Sequence, residues 1–252
     1  MMVRNRRQFL KAAIGAALVS AAGGPSMADQ NTAPPVIDSK FIHHDSVPDA
    51  DLEKHMWSAP EPVWFDQAAF SDAHYPDFKT RVASCWSAQF VYLAFWCPYQ
   101  TLTVYEGEDP TVERDRLWER DVVEAFIAPD PQKPSHYYEF EIAPNDQWMD
   151  IDIDLIRKPF NNPHWSSEFE HATKIDAVKH VWTAEMRIPI HSMSAEAIQS
   201  GKDWRINFYR CDGPGDDTVR RMMSWGRLPV RKSGGTFHQP ASFGILRFVG
   251  KS

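Results

Sequence analysis

The sequence predicts an all-β protein, an antiparallel β-sandwich of jelly-roll or immunoglobulin-like type with one or two short helices. Two patterns predict it. Apolar and polar residues alternate with period two through several runs bounded by Pro, Asn, Asp and Gly, the mark of antiparallel strands. Strands do not alternate with helices, and no Gly-rich phosphate loop follows a strand, which excludes a nucleotide-binding α/β fold. With 43% hydrophobic residues in 252, the chain can bury a sizeable core.

The first element is not part of that core. Arg6-Arg7 followed by Gln8-Phe9-Leu10-Lys11 resembles a twin-arginine export signal. The apolar run from Ala12 to Ala22 is shorter than the roughly 20 residues that span a bilayer. Ser26-Met27-Ala28 offers small residues for cleavage before Asp29. Residues 1–28 are therefore expected to be a signal peptide and the mature protein to be periplasmic or secreted, off the membrane. Losing four basic residues and no acid takes the net charge from −7 to −11, which disfavours nucleic acid and anionic lipid as partners.

Residues 29–48 are polar and proline-containing and read as a lead-in; 49–250 are expected to form the single sandwich domain. DADLEKHMW (49–57) is a candidate helix of one or two turns. The strand signals follow in order: FVYLAFW (90–96), VVEAFIA (122–128), YYEFEIA (137–143), WMDIDIDL (148–155), VWTAEMRIPI (181–190), WRINFYR (204–210) and FGILRF (243–248). In 137–143 one face carries Tyr137, Glu139 and Glu141, the other Tyr138, Phe140 and Ile142. SMSAEAIQSG (192–201) has a Ser cap and a closing Gly and reads as a short helix. Cys85, Cys97 and Cys211 are an odd number, so at least one thiol is free; a bridge from Cys211 to either of the others is open.

Ten tryptophans are a heavy load. Trp96, Trp182 and Trp204 sit in apolar runs and read as core, whereas Trp118, Trp165 and Trp225 sit in polar, turn-rich sequence. An indole stacked on the C–H face of a sugar buries apolar area while neighbouring polar groups bond the hydroxyls.

RLWERDVVEAFIAPD, HYYEFEIAPNDQWMDIDI and FHQPASFGILRF, in that order, resemble the family 9 carbohydrate-binding modules and their family-9-like relatives. The resemblance spans roughly residues 40–250 and implies a β-sandwich that holds a poly- or oligosaccharide between two tryptophans, accessory to glycan breakdown. Matched motif to motif, it implies Trp118 and Trp225 as the flanking rings and Glu124 as a hydroxyl acceptor. Where such modules place a ligand-contacting Arg, this chain has Glu141. Asn207 and Arg210, on the strand before the Trp225 loop, and His238, near the final turn, complete the candidate site.

The resemblance also raises calcium as a structural ion, with Asp150, Asp152 and Asp154 as oxygen donors. Alternate residues of one strand face lie about 7 Å apart, wide for ligands of one ion, so the row reads first as a solvated face. His43-His44-Asp45 lacks the spacing of a zinc centre. Glu119, Asp121 and Glu124 are acids that a glycoside hydrolase would need in pairs, but no nucleophile signature accompanies them, so binding without turnover is favoured. The alternative of another class is a haem-binding electron-transfer sandwich with Met222, Met223 and His238 as axial-ligand candidates.

Overall fold

The structure is a computed structural model that describes residues 33–107, 109–162, 164–214, 220–231 and 235–250. The expected export signal lies outside the described residues. No helix among the described residues is long and apolar enough to cross a membrane.

The described residues from Pro34 onward form one compact unit. Its strands are β1 Val36–Phe41, β2 Val63–Phe65, β3 Thr80–Trp86, β4 Phe90–Pro98, β5 Val122–Ala128, β6 His136–Ile142, β7 Trp148–Asp154, β8 Asn161–Asn162, β9 Glu170–Asp176, β10 Val181–Pro189, β11 Asp203–Asp212, β12 Arg221–Ser224 and β13 Gly244–Val249. They pair in the order β8-β7-β6-β5-β11-β13-β1-β3-β4-β10-β9, with β12 added to β11 and β2 to β3. Every pairing is antiparallel except those of β1, which runs parallel to both β13 and β3.

This single ladder curls onto itself into two layers. One hydrophobic cluster takes Val123, Ala125 and Ile127 from β5 and Phe140 and Ile142 from β6, together with Leu93 and Phe95 from β4 and Trp182 and Met186 from β10. Side chains from distant strands share that cluster because the two halves of the sheet face each other across it, the packing that defines a sandwich. Burying one face of β5, β6 and β11 in this way sends their alternate residues to the outer face.

That outer face is not wet. Val122, Glu124 and Phe126 on β5, Tyr137, Glu139 and Glu141 on β6, and Tyr209 and Cys211 on β11 are all buried. Loops cover them: Leu117, Phe237 and Phe243 pack over this side. Strong alternation here records two chemically different buried faces rather than one wet and one dry.

Several sequence expectations shift for physical reasons. The lead-in contains β1, whose Ile37 is fully buried and whose backbone is held between two strands distant in sequence. The helix expected over 192–201 is a single turn, Ile190–Met193, capped by Ser194 N–H on Ile190 O; the residues after it form turns ending at Gly201, φ +87°. In 49–57 only a 3-10 turn forms, His55–Ser58, with Trp57 buried beneath it. The segment before it is tied down by Glu185, whose Oε2 accepts the backbone N–H groups of Asp49 and Ala50 and pairs with Lys54. All three cysteines are free and buried.

The aspartate row is the clearest correction. Asp150 and Asp152 lie opposite Phe140 and Tyr138, on the inward side of β7, and both are buried rather than solvated. Burial is tolerated because each is paired: Asp150 accepts from Ser167 N–H and Oγ, and Asp152 binds His136 and Arg157.

Candidate functional site

Alternation and pairing together place three carboxylates in one spot. Register puts Glu124 of β5 directly opposite Glu141 of β6, and Glu139 follows two residues back on the same face. One carboxylate oxygen from each lies within 4.8 Å of the others, and all three side chains are buried. Both oxygens of Glu141 and Oε2 of Glu139 have no hydrogen-bond partner. Burial, and then the charge of Glu139, push the Glu124 carboxyl well above the ordinary range. Burial, followed by the charges of Glu124 and Glu139, does the same to Glu141.

The surroundings are mixed. Cys211 places its thiol 3.6 Å from Glu124 Oε1. His238 stacks on Phe126, is hydrogen-bonded through Nδ1 to Tyr137 Oη at 2.8 Å, and approaches Glu139 Oε2 at 4.0 Å. Arg220 donates to Trp118 O at 2.5 Å, and its positive charge acts on Glu124.

Trp118 stands at the rim. The long connection between β4 and β5 ends in a 3-10 turn, Leu117–Glu119, entered through Arg116 in the left-handed region at φ 61°. Leu117 is fully buried and anchors the turn, which leaves the half-buried Trp118 ring against the cluster of Leu117, Val122, Ala143 and Cys211. Two acids fix the loop: Glu119 binds Arg116 and Tyr105 Oη, and Asp121 accepts the N–H groups of Thr103 and Gly213. Burial, with the charge of Asp212 adding to it, raises the Asp121 carboxyl to about 6 despite those donors. Glu119 and Asp121 are thus committed to loop structure.

Glu124, Glu141, Trp118 and His238 therefore share one outer face. Asn207 shares that face of β11 with Tyr209 but is used within the fold, and Trp225 and Arg210 lie elsewhere. Trp225 packs on Phe208 at 5.3 Å and covers Gly244, in contact with the main core. Asn207 holds the turn that carries Trp225, accepting Gly226 N–H at 2.7 Å on Oδ1. A side chain at Gly226 would run into Ser242 O and the Asn207 amide, so the close approach requires glycine. Arg210 points into the opposite layer, fully buried, donating to Phe78 O, Thr80 Oγ1, Pro98 O and Asp212. Met223 is fully buried in the main core, while its neighbour Met222 lies beside Trp118 and Phe237; consecutive strand residues face opposite ways.

For a hard cation the two acidic sets differ. Asp150 Oδ2 and Asp152 are occupied by protein donors and Asp154 caps the next turn at Ile156 N–H, which leaves Asp150 Oδ1 as the buried unpartnered oxygen of the row. Glu124, Glu139 and Glu141 supply close carboxylate oxygens of the kind calcium takes, and three of those oxygens, on Glu139 and Glu141, have no hydrogen-bond partner. Glu139 was the residue missed in the sequence, although its alternation with Glu141 was legible; only register brings both to Glu124.

These features define an all-β sandwich whose polar cluster sits on the face of one layer, roofed by loops. More narrowly, the chain belongs to the carbohydrate family 9 binding domain-like family, whose model matches residues 49–251. A solved candidate carbohydrate-binding protein from Bacteroides uniformis superposes with a TM-score of 0.67 at 18% identity, covering 86% of this chain and 100% of that one. A family 9 module from Caldicellulosiruptor kristjanssonii, in complex with cellotriose, matches at 0.60 and 15% identity over 86% and 95% of the two chains. The same module with glucose matches at 0.59 and 15% over 85% and 97%. An Arthroderma benhamiae protein named as an extracellular protein is 26% identical over 207 residues, 77% of this chain and 87% of its own.

Proposed function

We propose that this protein is exported and binds a carbohydrate without turning it over, in a role accessory to glycan breakdown. The observation that carries the reading is the half-buried Trp118 ring packed against the cluster of Leu117, Val122, Ala143 and Cys211, on the same sheet face as Glu124, whose Oε1 meets the Cys211 thiol. The ring offers a flat apolar surface to the C–H face of a pyranose, and Glu124 and Glu141, buried beneath the covering loops, accept its hydroxyls as those loops part. Carboxylates left unpartnered in the protein are the groups that gain most from a ligand donor. Trp118 is the stacking ring in this reading, and Trp225, packed on Phe208, supports the loop frame.

Family membership and the sugar complexes of the Caldicellulosiruptor module support the ligand class. The Arthroderma relative's name supports export. Calcium at the three glutamates is a subsidiary proposal, tested by titrating Ca²⁺ in the presence and absence of sugar. The primary test is calorimetric titration of glucose and cellotriose, with a glycan array for breadth, on wild type and Trp118→Ala. The variant is expected to lose one binding event or to bind at least tenfold more weakly; both stoichiometry and affinity unchanged removes Trp118 from the site.

A further inference from the structure

A second ligand cleft lies at the open edge of the sandwich, away from the glutamate cluster. Trp148 at the start of β7 lies opposite Ile142, so its ring turns to the interlayer side, opposite to the face that holds Glu141. From the other layer, His171 of β9 lies opposite Met186, a core residue of β10, and so faces the same gap. The two rings approach at 5.7 Å, and Phe169 meets Trp148 edge-on at 5.5 Å. Beside these rings lies an open cleft of about 410 Å³.

Its chemistry is specific. Trp148, Phe169 and His171 make an aromatic floor, and Asp146 and Glu170 bring carboxylates to the rim. Asp146 is fixed by the His171 ring at 3.1 Å, and Glu170 is fixed by Arg187. Thr173 Oγ1 donates to Pro144 O at 3.0 Å, tying β9 to the turn between β6 and β7. Pro48 and Pro110 also line the cleft, and their fixed φ leaves little entropy to lose on binding.

We propose that this edge cleft is a second carbohydrate-binding site, for a neutral pyranose. An aromatic floor suits the C–H face of the ring, and two immobilised carboxylates suit its hydroxyls. Acidic rims on a chain of net charge −7 turn away uronate and sulfated sugars. The proposal stands without the Trp118 site, because the two lie on opposite faces of the layer and use different residues.

The test is calorimetric titration with cellotriose, read as stoichiometry. Wild type is expected to bind two molecules per chain, and Trp118→Ala and Trp148→Ala one each. Since Trp148 also contacts the core, Asp146→Gly serves as the fold-neutral probe: φ at this position is 65°, which glycine adopts freely. In the Trp118→Ala background, Asp146→Gly is expected to weaken the remaining binding at least tenfold. Remaining binding unaltered by both Asp146→Gly and Trp148→Ala overturns the edge site, as does a wild-type stoichiometry of one that Trp118→Ala reduces to none. Binding abolished by the edge variants and untouched by Trp118→Ala supports the edge site and removes the other.

Discussion

Glu124 and Glu141 stand directly opposite each other on neighbouring antiparallel strands, both sealed from solvent. Like charges at such a cross-strand pair repel, and burial removes the water that would screen them. The pair is therefore protonated over a wider pH range than free carboxyl groups, and it has a stability consequence.

A carboxyl group whose folded pKa is raised favours the folded state where it is protonated, and that contribution is lost as pH rises through the folded value. Glu124 and Glu141 are both raised, and Asp121 moves from 3.8 to about 6. The Asp121 change alone corresponds to about 3 kcal/mol. The thermal midpoint is expected to be higher at about pH 5 than at about pH 8, followed by circular dichroism without ligand. A midpoint that climbs across that interval would contradict the assignment of these buried acids.

Glu141→Gln keeps the shape and removes the charge. Its amide can donate to Glu124 and Glu139, whose Oε2 is unpartnered. At pH 8 the variant is expected to be more stable by about 1–2 kcal/mol, a rise of roughly 2–8 °C, with a flatter pH profile. The same substitution is expected to weaken sugar binding at the proposed site, so stability and affinity should move in opposite directions.

The two loop tryptophans should separate by stability. Trp225 covers Gly244 and packs on Phe208, so Trp225→Ala is expected to cost about 3 kcal/mol. Gly244→Ala drives a methyl into the Trp225 ring and to 2.6 Å from Pro35 O, at a cost of about 2 kcal/mol. Trp118→Ala, at the rim, is expected to cost about 1 kcal/mol while carrying the larger loss of binding. Chemical denaturation of the three variants gives the order directly.

The thiols should be inert in the native protein. Burial pushes Cys85 and Cys97 up to about 12 and Cys211 well above its ordinary value. Iodoacetamide at pH 8 is expected to add nothing to the folded chain and three adducts after denaturation, read by intact mass. Adduct formation at native-state rates comparable to a free thiol would place a cysteine at the surface.

The seven alternating or aromatic runs, from FVYLAFW to FGILRF, correspond to β4, β5, β6, β7, β10, β11 and β13. Side-chain period is a local property, so the sequence carried it. Two of the strands it did not mark show why. Glu170–Asp176 is an edge strand with polar residues on both faces, and Val36–Phe41 is a strand only because β13 and β3 flank it. Val36–Phe41 has no local signature because its partners lie tens to hundreds of residues away, whereas Glu170–Asp176 pairs with the next strand, β10, and is hidden by its polar residues alone.

The sequence by itself determined the sandwich class, the two faces of each main strand and the loop position of Trp118. It also supplied the motifs that mark the family. Only the tertiary structure decided which face of β7 meets the core, which turned Asp150 and Asp152 from solvated groups into buried, paired ones. It likewise turned Arg210 into a structural cation and brought Glu139 beside Glu124 and Glu141. The physical reason is that alternation tells a side chain which of two faces it shares with its neighbours, whereas register and the curl of the sheet decide what lies opposite that face.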